Sequence, residues 1–152
     1  METNPIQIIE ADYRDEAHRA AIPSLLNAYA WDLLGFRKPL EEKVLQNLTH
    51  GLAQFPTALV LLAHTEDRYV GMAICFMGFS TFSARPLINI HDFMVLPDFQ
   101  KRGIGKALVE ALLKKDVKRV YAAARKTSSL PNFGDIRVVP LELDITNDAQ
   151  VR

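Results

Sequence analysis

The chain of 152 residues has one cysteine, one tryptophan, no net charge and no apolar run approaching the roughly 18 residues that span a bilayer. Each shortage excludes something. Cys75 alone cannot form an internal disulfide, which fits a reducing compartment such as the cytoplasm. It stands in the apolar run GMAICFMGF and reads as a core thiol, not a nucleophile. No basic segment followed by an apolar one opens the chain, so neither a secretory leader nor membrane insertion is expected. His18, His50 and His64 have no ligand spacing, so no metal is expected. RPLINIH lacks the basic–aromatic interleaving of a nucleic-acid surface, so no nucleic acid is expected as a partner.

What is present suffices for one domain with a real core, spanning 1–152. IQIIEA (6–11) reads as a strand. A helical pattern follows from Asp12 to about Gly35, and Pro23 is expected to bend or divide it. PLEEKVLQNLTHGL (39–52) reads as a second helix, with Pro39 in its first turn and Gly51 near its end. Residues 57–79 form two apolar runs around the polar turn HTEDR, a β-hairpin. LINIHDFMVL (87–96) is a buried strand, GIGKALVEALLKK (103–115) a helix and KRVYAAAR (118–125) a strand, giving a right-handed crossover and a parallel pair. RVVPLELDIT (137–146) is a last strand whose open edge offers a place for a second copy. Thr146 or Asn147 then looks like a helix N-cap.

Charge is segregated along the chain. Residues 1–100 hold 7 Lys/Arg against 12 Asp/Glu, whereas 101–152 hold 11 against 6. The basic excess begins at the glycine loop Gln100, Lys101, Arg102, Gly103, Ile104, Gly105, Lys106. Glycines at 103 and 105 let backbone approach a phosphate closely, and the first-turn amides of the helix that follows point at the anion. Lys101, Arg102 and Lys106 add positive charge.

Residues 1 to about 108 resemble the GNAT superfamily of N-acetyltransferases. The resemblance rests on element order and on Val95-Leu96-Pro97 followed by Gln100-Lys101-Arg102-Gly103-Ile104-Gly105, the family's Q/R-x-x-G-x-G/A after V-x-P. It implies an α/β fold with a GNAT-like mixed sheet and flanking helices, acetyl-CoA as co-substrate, and a small-molecule or peptide amine as acceptor. The strand at 90–96 would splay from its parallel neighbour. The pantetheine arm would pair with Phe93, Met94 and Val95, and the Met94 N–H would hold the oxyanion. His91 and Asp92 are the candidate bases; strict alternation would put them on opposite strand faces. Trp31, Tyr29 and Phe36 either border an acceptor pocket or belong to the core.

From about residue 102 the chain also resembles the Rossmann half of short-chain dehydrogenase/reductases, through RGIGKALVEALL, KRVYAAARK and VVPLELDITNDAQV. That resemblance would put Arg125 at an NADP 2′-phosphate and Asp144 and Ile145 by the adenine. The first glycine of that family's signature falls at Phe99, too bulky for a tight turn. The strand–helix–strand–strand segment is therefore atypical for a GNAT chain, with a chimeric junction expected near 102–112. The GNAT family's usual late tyrosine is missing, since none follows Tyr121. A non-catalytic CoA-binding module and an NADP-binding fragment are the rivals to an acetyltransferase.

Overall fold

The computed structural model describes residues 5–32, 37–124, 128, 130 and 132–142. Six strands form one sheet in chain order: β1 (Gln7–Glu10), β2 (Ala58–His64), β3 (Tyr69–Ser80), β4 (Arg85–Val95), β5 (Val120–Ala124) and β6 (Val138–Glu142). The first four are antiparallel, and β4–β5 and β5–β6 are parallel. Helices α1 (Glu16–Trp31) and α2 (Glu42–Gln54) lie between β1 and β2, and α3 (Ile104–Leu113) connects β4 to β5.

The sheet is buried on both sides, and alternation along its strands sorts the core. Leu59, Leu61, Cys75, Ile88 and Ile90 meet Ile104, Leu108 and Leu112 of α3. Val60, Leu62, Met72, Ile74 and Met94 meet Ala21, Ile22 and Leu25 of α1 and Leu52 of α2. Strands covered on both faces need unbroken apolar runs, which is why TALVLLAH and GMAICFMGF look as they do.

Several boundaries differ from the sequence reading for identifiable reasons. Helix α1 starts at Glu16, because Asp15 caps it by accepting from the N–H groups of Ala17 (2.8 Å) and His18 (3.1 Å). Pro23 does not divide it. The missing Pro23 N–H frees the Arg19 carbonyl, and the Thr49 hydroxyl of α2 donates to it at 3.1 Å. Helix α2 begins after Pro39, and Gly51 lies inside it, short of its end at Gln54. The last turn of the expected first helix, with Phe36, and the segment from 143 onward, with Asp144, Ile145 and the expected N-cap, lie outside the described residues.

The Leu108 side chain is fully buried between α3 and the sheet. Leu108→Ala is expected to lower stability by about 2–5 kcal/mol in urea unfolding, the range for a truncated core leucine.

Candidate functional site

One extra residue in β4 shapes the site. Ile74 pairs with Asp92 and Cys75 with Ile90, which leaves His91 as a β-bulge. The bulge reverses the sense of the ladder. The Ile88 N–H donates to Arg119 on the β5 side (2.9 Å), whereas the Leu96 N–H donates to Val70 on the β3 side (2.8 Å). In an unbroken strand, residues eight apart would point the same way. Counting back from Leu96, the Met94 N–H faces β3, and those of Phe93 and Val95 face the β5 side. Met94, expected from the sequence as the oxyanion donor, is therefore turned away from it.

Among the described residues, no strand pairs with those amides there. The β4–β5 ladder covers only Ile88–Ile90 against Val120–Ala122. Beyond it β4 stays with β3 as far as Val95, and β5 stays with β6 as far as Ala124. The sheet splits into a V. Phe93, Leu130 and Phe133 pack its α3 side around a void of about 10 Å³. A larger cavity of about 440 Å³ adjoins it on the β6 side, sharing Leu130 and Phe133 and lined further by Asp135 and Ile136 among others. Asp135 there is engaged by Arg137 (2.8 Å), so this cavity brings together none of the residues expected at the site.

The bulge also corrects the expectation that His91 and Asp92 occupy opposite faces. Asp92 shares a face with its partner Ile74, in the α1/α2 core. The exposed His91 ring lies edge-on to Phe76, of the same face, at 5.4 Å between centroids. Phe55, just past α2, stacks on the other part of this row, 5.4 Å from Phe76. Asn89 and Tyr121 are register partners beside it, Tyr121 being half-buried in a cross-strand position. Trp31 is 57% exposed and so is no core residue, whereas Tyr29 packs against the α1-side core. Burial pushes the Asp92 carboxyl above the ordinary carboxylate range, and the neighbouring His91 opposes that shift. Burial, with the Asp92 charge beneath it, pushes the Cys75 thiol up to about 12, which suits an inert core group.

At the mouth of the V, a 3-10 turn at Pro97–Phe99 leads into the loop. Gln100 Nε2 donates to the Val95 carbonyl at 3.0 Å and fixes the loop to the strand end. Lys101 and Gly103 take left-handed backbone (φ 61° and 79°). The helix then starts without a side-chain cap. Among the described residues, the amides of Gly103, Ile104, Gly105 and Lys106 have no acceptor, the first intrahelical bond being Ala107 N–H to Gly103 O. Four free donors at a helix start can hold an anion. Gly105 faces the Phe93 ring, which a Cβ would approach to 3.3 Å. Among the described residues, no three His, Cys, Asp or Glu side chains converge as metal ligands, and no helix is long and apolar enough to cross a membrane.

A mixed α/β domain whose sheet splits beside an uncapped helix start with acceptor-free amides is the class these features define. The acetyltransferase (GNAT) family model matches residues 22–137, well over half of the chain, and the chain belongs to that family. Solved structures sharing its fold include the ribosomal-protein-alanine N-acetyltransferase of Brucella melitensis biovar Abortus 2308. It is 24% identical over 73% of this chain and 71% of that one, with a TM-score of 0.58. An aminoglycoside acetyltransferase from an uncultured soil metagenomic sample is 20% identical over 96% and 82%, with a TM-score of 0.59. An aminoglycoside N-acetyltransferase in complex with CoA is 15% identical over 78% and 76%, with a TM-score of 0.60. No curated protein matches the chain. The family match runs through the expected junction at 102–112, so the reductase-like reading of the C-terminal segment finds no support. Arg125, the residue that reading needed, lies outside the described residues.

Two outcomes follow from this geometry. Gly103→Val forces a β-branched side chain into left-handed backbone, and Gly105→Val drives one into Phe93. Both variants are expected to abolish CoA binding in calorimetry while keeping a native circular dichroism spectrum. Asp92, with its raised value, binds its proton more tightly folded than unfolded. Its carboxylate therefore costs stability increasingly as pH rises from the ordinary 3.8 through the raised value. Asp92→Asn is expected to raise the melting temperature at about pH 7 and to give less gain at about pH 4.

Proposed function

We propose that the chain transfers the acetyl group of acetyl-CoA to a primary amine, with the V beside β4 holding the carrier. The observation that carries this reading is the coincidence of the split sheet with four acceptor-free amides on the loop Gln100–Lys106. The diphosphate sits on those amides, with Lys101, Arg102 and Lys106 around it. The arm lies along Phe93, Met94 and Val95, bonding to the backbone groups of Phe93 and Val95 that face the V.

The chemistry is a direct displacement. The neutral amine nitrogen attacks the thioester carbonyl carbon, a C–N bond forms, and the C–S bond breaks, releasing CoA as its thiolate, which takes a proton from solvent. The Phe93 N–H, nearest the bulge on the open side, donates to the developing oxyanion, since a fixed donor in a dry cleft needs no reorganisation. His91 takes the ammonium proton, its exposed imidazole lying on the face beside Phe76 from which the acceptor comes. Asp92, on the same face, supplies negative charge beside the imidazolium that forms. Holding both substrates in one cleft contributes up to about 7–11 kcal/mol of the barrier in ideal cases.

The acceptor approaches on the α1/α2 face, along Phe55 and Phe76. Structural neighbours named for a ribosomal-protein alanine and for aminoglycosides support an amine held there, as a small molecule or a peptide end. The lone buried cysteine supports a cytoplasmic setting. His91→Ala is expected to lower kcat by about 10²–10⁴-fold, the usual worth of a general base, with acetyl-CoA affinity unchanged. The measurement is steady-state CoA release over an amine panel. Activity within twofold of the parent would remove His91 from the reaction.

A further inference from the structure

The positive charge around the loop includes a contribution from the HTEDR turn of the β2–β3 hairpin, to which the sequence reading gave no role. Arg68 lies between β2 and β3. Its backbone is locked by Thr65, whose N–H (2.9 Å) and hydroxyl (3.1 Å) both donate to the Arg68 carbonyl. The Arg68 N–H in turn donates to that hydroxyl (3.2 Å). The side chain crosses to the loop, where its guanidinium carbon stands 4.8 Å from the centre of the Phe99 ring, with that of Arg102 at 5.2 Å. Those two distances hold the guanidiniums within 10 Å of each other. Phe99 is itself packed against the α3-side core and donates its N–H to Leu96 O at 2.9 Å, so the platform is fixed.

Neither arginine enters an ion pair among the described residues, although Arg14, Arg85, Lys106, Lys115 and Arg137 all do. Two unneutralised like charges held on one ring raise the local potential and favour an anion between them. The ring is occupied by guanidiniums and is no stacking surface for adenine. The diphosphate already has the free amides of Gly103–Lys106. CoA carries one further anion, the phosphomonoester on its ribose, which is largely a dianion near neutral pH and presents three acceptor oxygens to guanidinium forks.

We propose that Arg68, Phe99 and Arg102 form a phosphomonoester subsite that reads the 3′-phosphate of CoA. The inference rests on the assignment of CoA to the V, and it adds a selection step: the enzyme distinguishes CoA from carriers that share the pantetheine diphosphate but lack this phosphate. Arg68 is exposed, so replacing it leaves the core intact.

The test is calorimetric titration of CoA and of 3′-dephospho-CoA into the parent protein, Arg68→Met and Arg102→Met at low salt. The parent is expected to prefer CoA by about tenfold or more, the worth of one or two charge-assisted hydrogen bonds. Arg68→Met is expected to bring that ratio to within about twofold of unity, with the dephospho-CoA affinity unchanged. Equal binding of both ligands by the parent overturns the subsite while leaving the CoA assignment standing. So does an Arg68→Met variant that keeps the preference or weakens both ligands alike. Binding of neither ligand by the parent overturns the CoA assignment and the subsite with it.

Discussion

One surplus residue in β4 governs the geometry of this molecule. Pairing on the β3 side has to accommodate His91, and the ladder accommodates it by bulging. Before the bulge, even-numbered amides reach β5; after it, Leu96 and its alternates reach β3. The strand thus exchanges one set of partners for another within its own length. Parallel pairing with β5 ends at Ile90, next to the bulge, and the backbone groups released there face a cleft bounded by strands on each side. The same surplus residue places an imidazole and a buried carboxyl on one face, beside the aromatic row that runs to α2.

Charge is divided along the chain at the loop. The chain's first hundred residues carry a net negative charge and build the α1/α2 face, where Asp92 lies. The basic excess starts at the loop and continues through α3. On the proposed reading, this division favours an anionic carrier at the loop and a cationic amine at the α1/α2 face. Gly103 and Lys101, both in left-handed backbone, turn the chain so sharply that the helix begins with its donors directed outward.

Much of this was legible in the residues. Gln100-Lys101-Arg102-Gly103-Ile104-Gly105 identified the loop because glycine at 103 answers to a positive φ and glycine at 105 to the nearby Phe93 ring. The apolar runs at 57–79 and 87–96 gave strands in the correct order. Alternation failed at His91 and Asp92, since a period of two carries no allowance for an inserted residue. The signal was two adjacent polar residues inside a buried strand. Pro23 was expected to bend or divide α1, and the helix stays undivided; the hydroxyl that satisfies Arg19 comes from Thr49, 30 residues away. Arg68 escaped notice for a similar reason: HTEDR is a turn by composition, and only the tertiary fold brings that arginine over Phe99.

Helix α2 differs from the rest of the domain in how it is held. Of its thirteen residues only Leu52 is fully buried. Its other ties are to the neighbouring core and α1: Leu48 packs half-buried, Thr49 donates to the Arg19 carbonyl, and Leu40 just before the helix donates its N–H to Asn27 Oδ1 at 2.9 Å. Helix α3, by contrast, buries Ile104, Leu108, Val109 and Leu112. On the proposed reading, sequence drift in α2 can reshape the acceptor's wall at small cost to folding, while the wall that α3 gives the carrier is held by its own packing. The proposed cleft would then pair a deeply packed wall for the constant substrate with a thinly packed one for the substrate that varies.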